Sequence, residues 1–169
     1  MERTVTIVQP SYIPWRGYFD LIRRADTFVF YDDVQYDKHG WRNRNRIKTA
    51  NGPLWLTIPV LSKGSLVRHA PIKDIEIDGR SDWRQKHLES IRHAYRRAPF
   101  FEETFSFLSD AYNLRAANLS EFTVEVTKKI ARRMGFPATF VLSSELHIDG
   151  ERMDRLISTL QAVGATHYI

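Results

Sequence analysis

A buried strand that runs straight into a proline-rich, aromatic turn constrains this chain more than any other feature. Val5 to Val8 is a short apolar run, followed at once by Gln9-Pro-Ser-Tyr-Ile-Pro-Trp-Arg-Gly-Tyr18 and then by an apolar-periodic stretch. Pro10 and Pro14 cannot continue a strand ladder, so the chain must turn there. The periodicity beyond the turn predicts a helix over about Trp15 to Arg24, and Thr27 to Tyr31 reads as a second strand. Strand, helix and strand of these lengths make a βαβ unit with a parallel pair. Its first turn leaves the N–H groups of the helix start facing open space, where phosphate is commonly held. Asp32-Asp33 ends the second strand and should emerge at the same edge of the sheet.

The 169 residues suffice for one domain with a hydrophobic core and are short for two, so a single α/β domain over 1–169 is expected. The absence of cysteine excludes disulfide staples and thiolate metal sites. The charged start Met1 to Thr4 carries no apolar segment of the secretory kind, and no apolar run approaches the roughly 20 residues needed to cross a bilayer. The expectation is a soluble, cytoplasmic protein with no membrane insertion.

The net charge of +5 is mild but unevenly placed, since Lys38 through Lys73 holds eight Lys or Arg and no Asp or Glu. Arg42, Arg44, Arg46 and Lys48 alternate, so in an extended segment all four point to one side. Such a stripe suits an anionic partner, phosphate above all. A solvated edge strand that uses charge against aggregation is the other explanation.

From Trp41 to Ile77 the signals are short and β-like. They run over Arg46 to Thr49, Leu54 to Val60 and Ile72 to Ile77, punctuated by Asn51-Gly52-Pro53, Lys63-Gly64 and Asp78-Gly79. This predicts an inserted antiparallel β layer over about 41–78. A helical middle follows over about 81–134. Ser81 caps a helix to about Arg97, Pro99 opens one to about Leu114, and a third runs from Leu119 to Met134, stopped by Gly135 and Pro137. Thr139 to Ser143, Gly150 to Val163 and Thr166 to Ile169 then read as strand, helix and strand, returning to a βαβ unit. Because the last residue falls inside a strand, the natural chain is expected to continue beyond it, a terminal parallel strand being the alternative.

Four blocks carry a resemblance to a known family. They are Gln9-Pro-x-Tyr-x-Pro-Trp-x-Gly-Tyr-Phe19, Asp33-Val-Gln-Tyr36, Trp41-x-Asn-Arg-Asn-x-Ile-Lys48 and Trp55-Leu-Thr-Ile-Pro-Val60. Trp83, His87, Tyr95, Ala98-Pro99 and Gly164-Ala-Thr-His-Tyr168 agree with them. Together they resemble the WbqC-like family of bacteria over essentially the whole chain, although family members usually continue into a further segment. The resemblance implies a place among surface-polysaccharide and O-antigen gene clusters, and glycine or amino-acyl transfer onto a sugar.

Within those blocks Gln9, Pro10, Tyr12, Trp15, Gly17 and Tyr18 are the candidates for holding a nucleotide, ATP or a UDP- or dTDP-sugar. Gln35, Asn43, Arg44, Asn45 and Lys48 join them. Trp15-Arg-Gly-Tyr18 occupies the place of the His-x-Gly-His box of nucleotidyltransferases, where glycine lets phosphate approach the backbone, but both histidines are aromatic here. Asp33 is the candidate for holding Mg²⁺ together with phosphate, a turn or cap after the strand being the alternative for the Asp pair. Arg44 is read as an anion clamp or as an internal ion-pair partner of Asp32 or Asp33. For Asn43 and Arg44 to face one ligand a bulge or loop must intervene between them.

His87 lies with Trp83, Ile91 and Tyr95 on one helical stripe. It is either a core residue or the general base that takes the proton of an acceptor amine. His39 and His69 fall in loops, and no histidine pair has zinc-ligand spacing. Ser143-Ser144 is a polar turn or, at most, the remnant of a nucleophile. A transferase of surface-glycan biosynthesis is therefore the first expectation. A sugar-nucleotide-binding protein without catalysis and a single-stranded nucleic-acid binder stacking bases on Trp41, Trp55 and Tyr36 are the alternatives.

Overall fold

The computed structural model describes residues 2–38, 40–61 and 70–169. Strand β1 (Thr4–Val8), helix α1 (Arg16–Arg24) and strand β2 (Thr27–Phe30) form the expected parallel βαβ unit, with Val5 opposite Thr27 and Val8 opposite Phe30. Strand β3 (Arg44–Thr49) and strand β4 (Gly52–Thr57) form a hairpin. Helices α2 (Trp83–Tyr95), α3 (Phe101–Tyr112) and α4 (Leu119–Arg133) make the helical middle. Strand β5 (Thr139–Leu142), helix α5 (Arg152–Ala162) and strand β6 (His167–Tyr168) complete a four-stranded sheet in the order β5-β2-β1-β6, in which every pair is parallel.

Alternation along the strands divides the sheet into two faces. Phe28 and Phe30 pack with Tyr18, Phe19 and Ile22 of α1 and with Val124 and Ala131 of α4. Val5, Ile7 and Val29 pack on the opposite side, with Val163 and with Leu156 and Leu160 of α5. A further core joins the hairpin to the helices through Leu56, Ile58, Trp83, Ile91, Tyr112 and Phe122. Helix α4 belongs to both, since Phe122 and Val126 face the hairpin side and Val124 and Ala131 the sheet. A helix placed between two cores must be apolar on more than one side, and α4 is.

The inserted β layer is smaller than the sequence suggests. Ile72–Asp74 is a 3-10 turn, and the rest of the expected strand over 72–77 survives as isolated bridges of Val60 with Ile77 and of Glu76 with Asn118. Its apolar residues go into the helical core, where Ile72 and Ile75 are buried. The cap of α2 is Asp82 in place of Ser81, with no side-chain bond to the helix. The hairpin closes through Ala50-Asn51, with Gly52 at a φ of 105° that favours glycine. The turn expected at Lys63-Gly64 and the loop positions of His39 and His69 lie outside the described residues.

Candidate functional site

The proline-aromatic turn after β1 is held by the segment that leads into β3. The Tyr12 N–H donates to the Trp41 carbonyl at 3.2 Å. The Arg42 guanidinium donates to the carbonyls of Gln9 and Pro10, each at 3.2 Å, and to the Ser11 hydroxyl at 2.8 Å. The Asn45 amide donates to the carbonyls of Tyr12 and Ile13. Pro10 and Pro14 keep this stretch out of a regular ladder, so its carbonyls need partners from elsewhere, and two polar side chains supply them. Arg42 is therefore not the first member of a stripe on the strand. It precedes β3 and folds back onto the turn, and its partial burial lowers its pKa against the opposing pull of Tyr18 and Asp37.

Between this turn and the hairpin lies a cleft of about 1020 Å³. Arg42, Arg46 and Lys48 bring positive charge to it, Trp15, Trp41 and Tyr18 bring aromatic faces, and none of its described lining residues is acidic. Trp15 is 70% exposed and Trp41 46%, so both indoles present open ring surface. Arg46 lies 5.5 Å from the Trp41 ring and 5.2 Å from Trp55, while Arg44 lies 4.7 Å from Trp55. Arginines and indoles thus alternate along the outer face of the hairpin, where Arg44, Arg46 and Lys48 stand opposite Thr57, Trp55 and Pro53.

Of the residues proposed from the sequence, Tyr12, Trp15, Tyr18, Asn45 and Lys48 line this cleft. Gln9 and Pro10 contribute carbonyls that are engaged by Arg42, and the Gln9 carbonyl also accepts from the Tyr18 hydroxyl. Gly17, Gln35, Asn43, Arg44, Asp33 and His87 do not line it. The space a side chain would take at Gly17 is filled by the Trp15 ring. The glycine makes room for that indole. Gln35 is exposed, at an isolated bridge to Pro71.

Asn43 is buried in the bend before β3, where the sequence predicts a bulge or a loop. Its amide donates to the Ile58 carbonyl at 2.9 Å while the Ile58 N–H donates to its own carbonyl, so the side chain extends the hairpin ladder by one step. Arg44 lies over Trp55, and Asp32 and Asp33 are engaged by Ser143, Ser144 and Arg155.

Asp33 points to the α5 side of the sheet, the side of Tyr31 and Val29, whereas the cleft opens on the side of Val8 and Tyr18. Its carboxylate accepts from Ser143 and pairs with Arg155. Asp32 accepts from the Ser144 N–H at 3.0 Å, the Ser144 hydroxyl at 2.8 Å and the Ser143 hydroxyl at 3.2 Å. The two acids and two serines therefore tie the end of β2 to the turn after β5. Among the described residues no three His, Asp or Glu side chains gather as metal ligands.

His87 is buried and its Nδ1 lies 2.9 Å from the Tyr12 hydroxyl, which also meets the Tyr112 hydroxyl. Burial pulls the His87 pKa down to about 4, with a hydrogen bond to the Thr57 backbone opposing the shift. The neutral ring thus donates from one nitrogen to Thr57 and accepts from Tyr12 on the other, and Tyr112 donates to Tyr12. Burial raises the phenol pKa values of Tyr12 and Tyr112 well above the ordinary range, so all three rings are uncharged. Within this chain His87 fixes Tyr12, and Tyr12 is what reaches the cleft.

The sequence reading missed Ser11 as a cleft residue and Arg155 as the partner of Asp33, and it named Trp41, Arg42 and Arg46 as stacking and anion-binding residues without joining them to the turn after β1. Arg42 and Arg46 already stood out by charge. Nothing in the sequence links Arg155 to a residue 122 positions away.

A family model described as the WbqC-like protein family matches residues 9–169. The chain belongs to the WbqC-like family. It is also similar to an uncharacterized protein of Mycobacterium tuberculosis, 39% identical over 168 residues, which cover 99% of this chain and 71% of that relative. No solved structure matches it. In this WbqC-like chain the first block after β1 and the block at β3 come together to build the cleft, whereas Asp33 turns toward α5 and Val34 and Tyr36 of its block pack into the hairpin–helix core. No helix among the described residues is long and apolar enough to cross a membrane.

Proposed function

We propose that this protein is a transferase of surface-glycan biosynthesis that holds a nucleotide or nucleotide sugar in the cleft between the first strand–helix turn and β3. One observation carries the binding half of this reading: a cleft of about 1020 Å³ with three cationic side chains, open indole faces and no acidic group among its described lining residues. Phosphate groups are complemented by Arg and Lys, and base or sugar rings by indole. The transfer half, delivery of an amino-acyl group to an amino sugar or its nucleotide, is supported by membership of the WbqC-like family and by the surface-polysaccharide role that the resemblance implies. Asp33 does not fit a Mg²⁺ site, because its carboxylate is engaged by Ser143 and Arg155. His87 positions Tyr12 and does not itself line the cleft.

A thermal-shift screen of ATP, UDP-N-acetylglucosamine and a dTDP-sugar tests the binding half. A ligand present at about one hundred times its Kd stabilises the native state by about 2.7 kcal/mol, which for a chain of this size raises Tm by about 5–10 °C. Arg46→Ala and Lys48→Ala should each reduce the shift. A wild-type Tm unmoved by every nucleotide at millimolar concentration contradicts the reading.

A further inference from the structure

Beside the charged cleft lies a second hollow of about 310 Å³, and four residues, Tyr12, Asn45, Arg46 and Ile47, line both. Its character is different. Apart from those shared residues and Thr104 it is walled by apolar and aromatic side chains of the hairpin and of α2, α3 and the segment joining them, among them Ile91, Tyr95, Phe105 and Leu108.

The partition between the two hollows is built with care for its geometry. Ile13 has a φ of 40°, a conformation that a β-branched side chain rarely adopts. It is held there because the Asn45 amide bonds its carbonyl together with that of Tyr12. On its other edge Tyr12 is fixed by His87 and Tyr112. Strain maintained by surrounding bonds is typical of ligand sites, and this strain sits where cationic and apolar surfaces meet.

We propose that the two hollows form one bipartite site, taking a single small molecule whose phosphate lies in the cationic cleft and whose apolar acyl or alkyl group enters the second hollow. The occupant follows from the continuity of the walls, since a ligand beside Arg46 and Ile47 borders both compartments. An apolar cavity of about 150 Å³ holds a benzene, so the second hollow admits a group of about six to eight carbons. The inference rests on the nucleotide reading of the cleft and deepens it: the acyl group carried there is apolar and of medium size, where the family resemblance suggests glycine.

The test compares hexyl phosphate, methyl phosphate and hexanol on the full chain, with isoleucine methyl groups carbon-13 labelled for NMR and Kd values taken from the titrations. Hexyl phosphate should bind at least about tenfold more tightly than methyl phosphate or hexanol and should shift the Ile91 methyl resonance, which methyl phosphate leaves in place. Leu108→Trp, which fills the hollow, should abolish the preference; the wild-type Ile91 response keeps the test decisive if that variant does not fold. Equal affinities for the two phosphates, an unmoved Ile91 methyl, or hexanol binding as tightly as hexyl phosphate would overturn the bipartite site. Nucleotide binding alongside any of those results would leave the reading of the cleft standing. A preference for hexyl phosphate without binding of any nucleotide would overturn the nucleotide reading alone.

Discussion

His87 is buried, with its Nδ1 2.9 Å from the Tyr12 hydroxyl. Its pKa lies near 4 because burial penalises the imidazolium, so the unfolded chain takes up a proton between about pH 6.5 and 4 that the folded chain refuses. The contribution of the neutral ring is complete above about pH 6.5 and is lost as pH falls through about 4. The difference amounts to about 3 kcal/mol. Urea denaturation at pH 7, 5 and 4 should show this loss in the wild type and a flatter profile in His87→Gln. A wild-type profile no steeper than that of the variant would contradict the assignment. The place of Gly17 in a strand–turn–helix motif suggested a phosphate contact, but the neighbouring Trp15 ring lies against it, a proximity that motif spacing does not reveal. Because that indole is 70% exposed, it can swing aside, and alanine is the better helix former. Gly17→Ala should change stability by no more than about 1 kcal/mol while increasing quenching of Trp15 fluorescence by iodide and weakening nucleotide binding. Unchanged quenching would mean that the ring does not depend on the glycine.

At the scale of elements, strands and helices with strong periodicity were legible. The βαβ start, the hairpin, the three middle helices and the closing strand–helix–strand all follow from apolar spacing and from Gly and Pro punctuation. Ile72 to Ile77 was not, because isoleucines at 72, 75 and 77, spaced by three and then by two, suit a 3-10 turn packed against a helix as well as a short strand. The end of β2 was legible as an acidic strand terminus and not as a cross-link, since its partners Ser143, Ser144 and Arg155 come from distant parts of the chain. The Asp33–Arg155 pair has 12% and 17% of its side-chain surfaces exposed, so little water screens it. Arg155→Ala should cost about 1–3 kcal/mol of unfolding free energy, measured by urea titration. A cost indistinguishable from zero would show that the pair does not hold α5 to the sheet.

For the molecule as a whole, the cleft lies at the seam between two packing units. Val8 and Tyr18 come from the sheet side and Arg46 through Pro53 from the hairpin side, while α4 joins the cores behind them. Both halves of that wall are legible as blocks of unusual composition, rich in Trp, Pro, Asn and Arg, but their meeting depends on Arg42 and Asn45 reaching back to the turn. Charge alone does not separate a nucleotide from a nucleic acid. Tyr36, one of the three rings considered for base stacking, is buried, whereas Trp41 and Trp55 both remain exposed. The most direct test is calorimetric titration of UDP-N-acetylglucosamine, ATP and a short single-stranded oligonucleotide into the wild type and the Arg46→Ala and Lys48→Ala variants, at two salt concentrations. The account predicts submillimolar binding of a nucleotide or nucleotide sugar, weakened about tenfold by each substitution and only mildly by salt. Binding of the oligonucleotide alone, with affinity falling steeply as salt rises, or nucleotide binding indifferent to both substitutions, would contradict it.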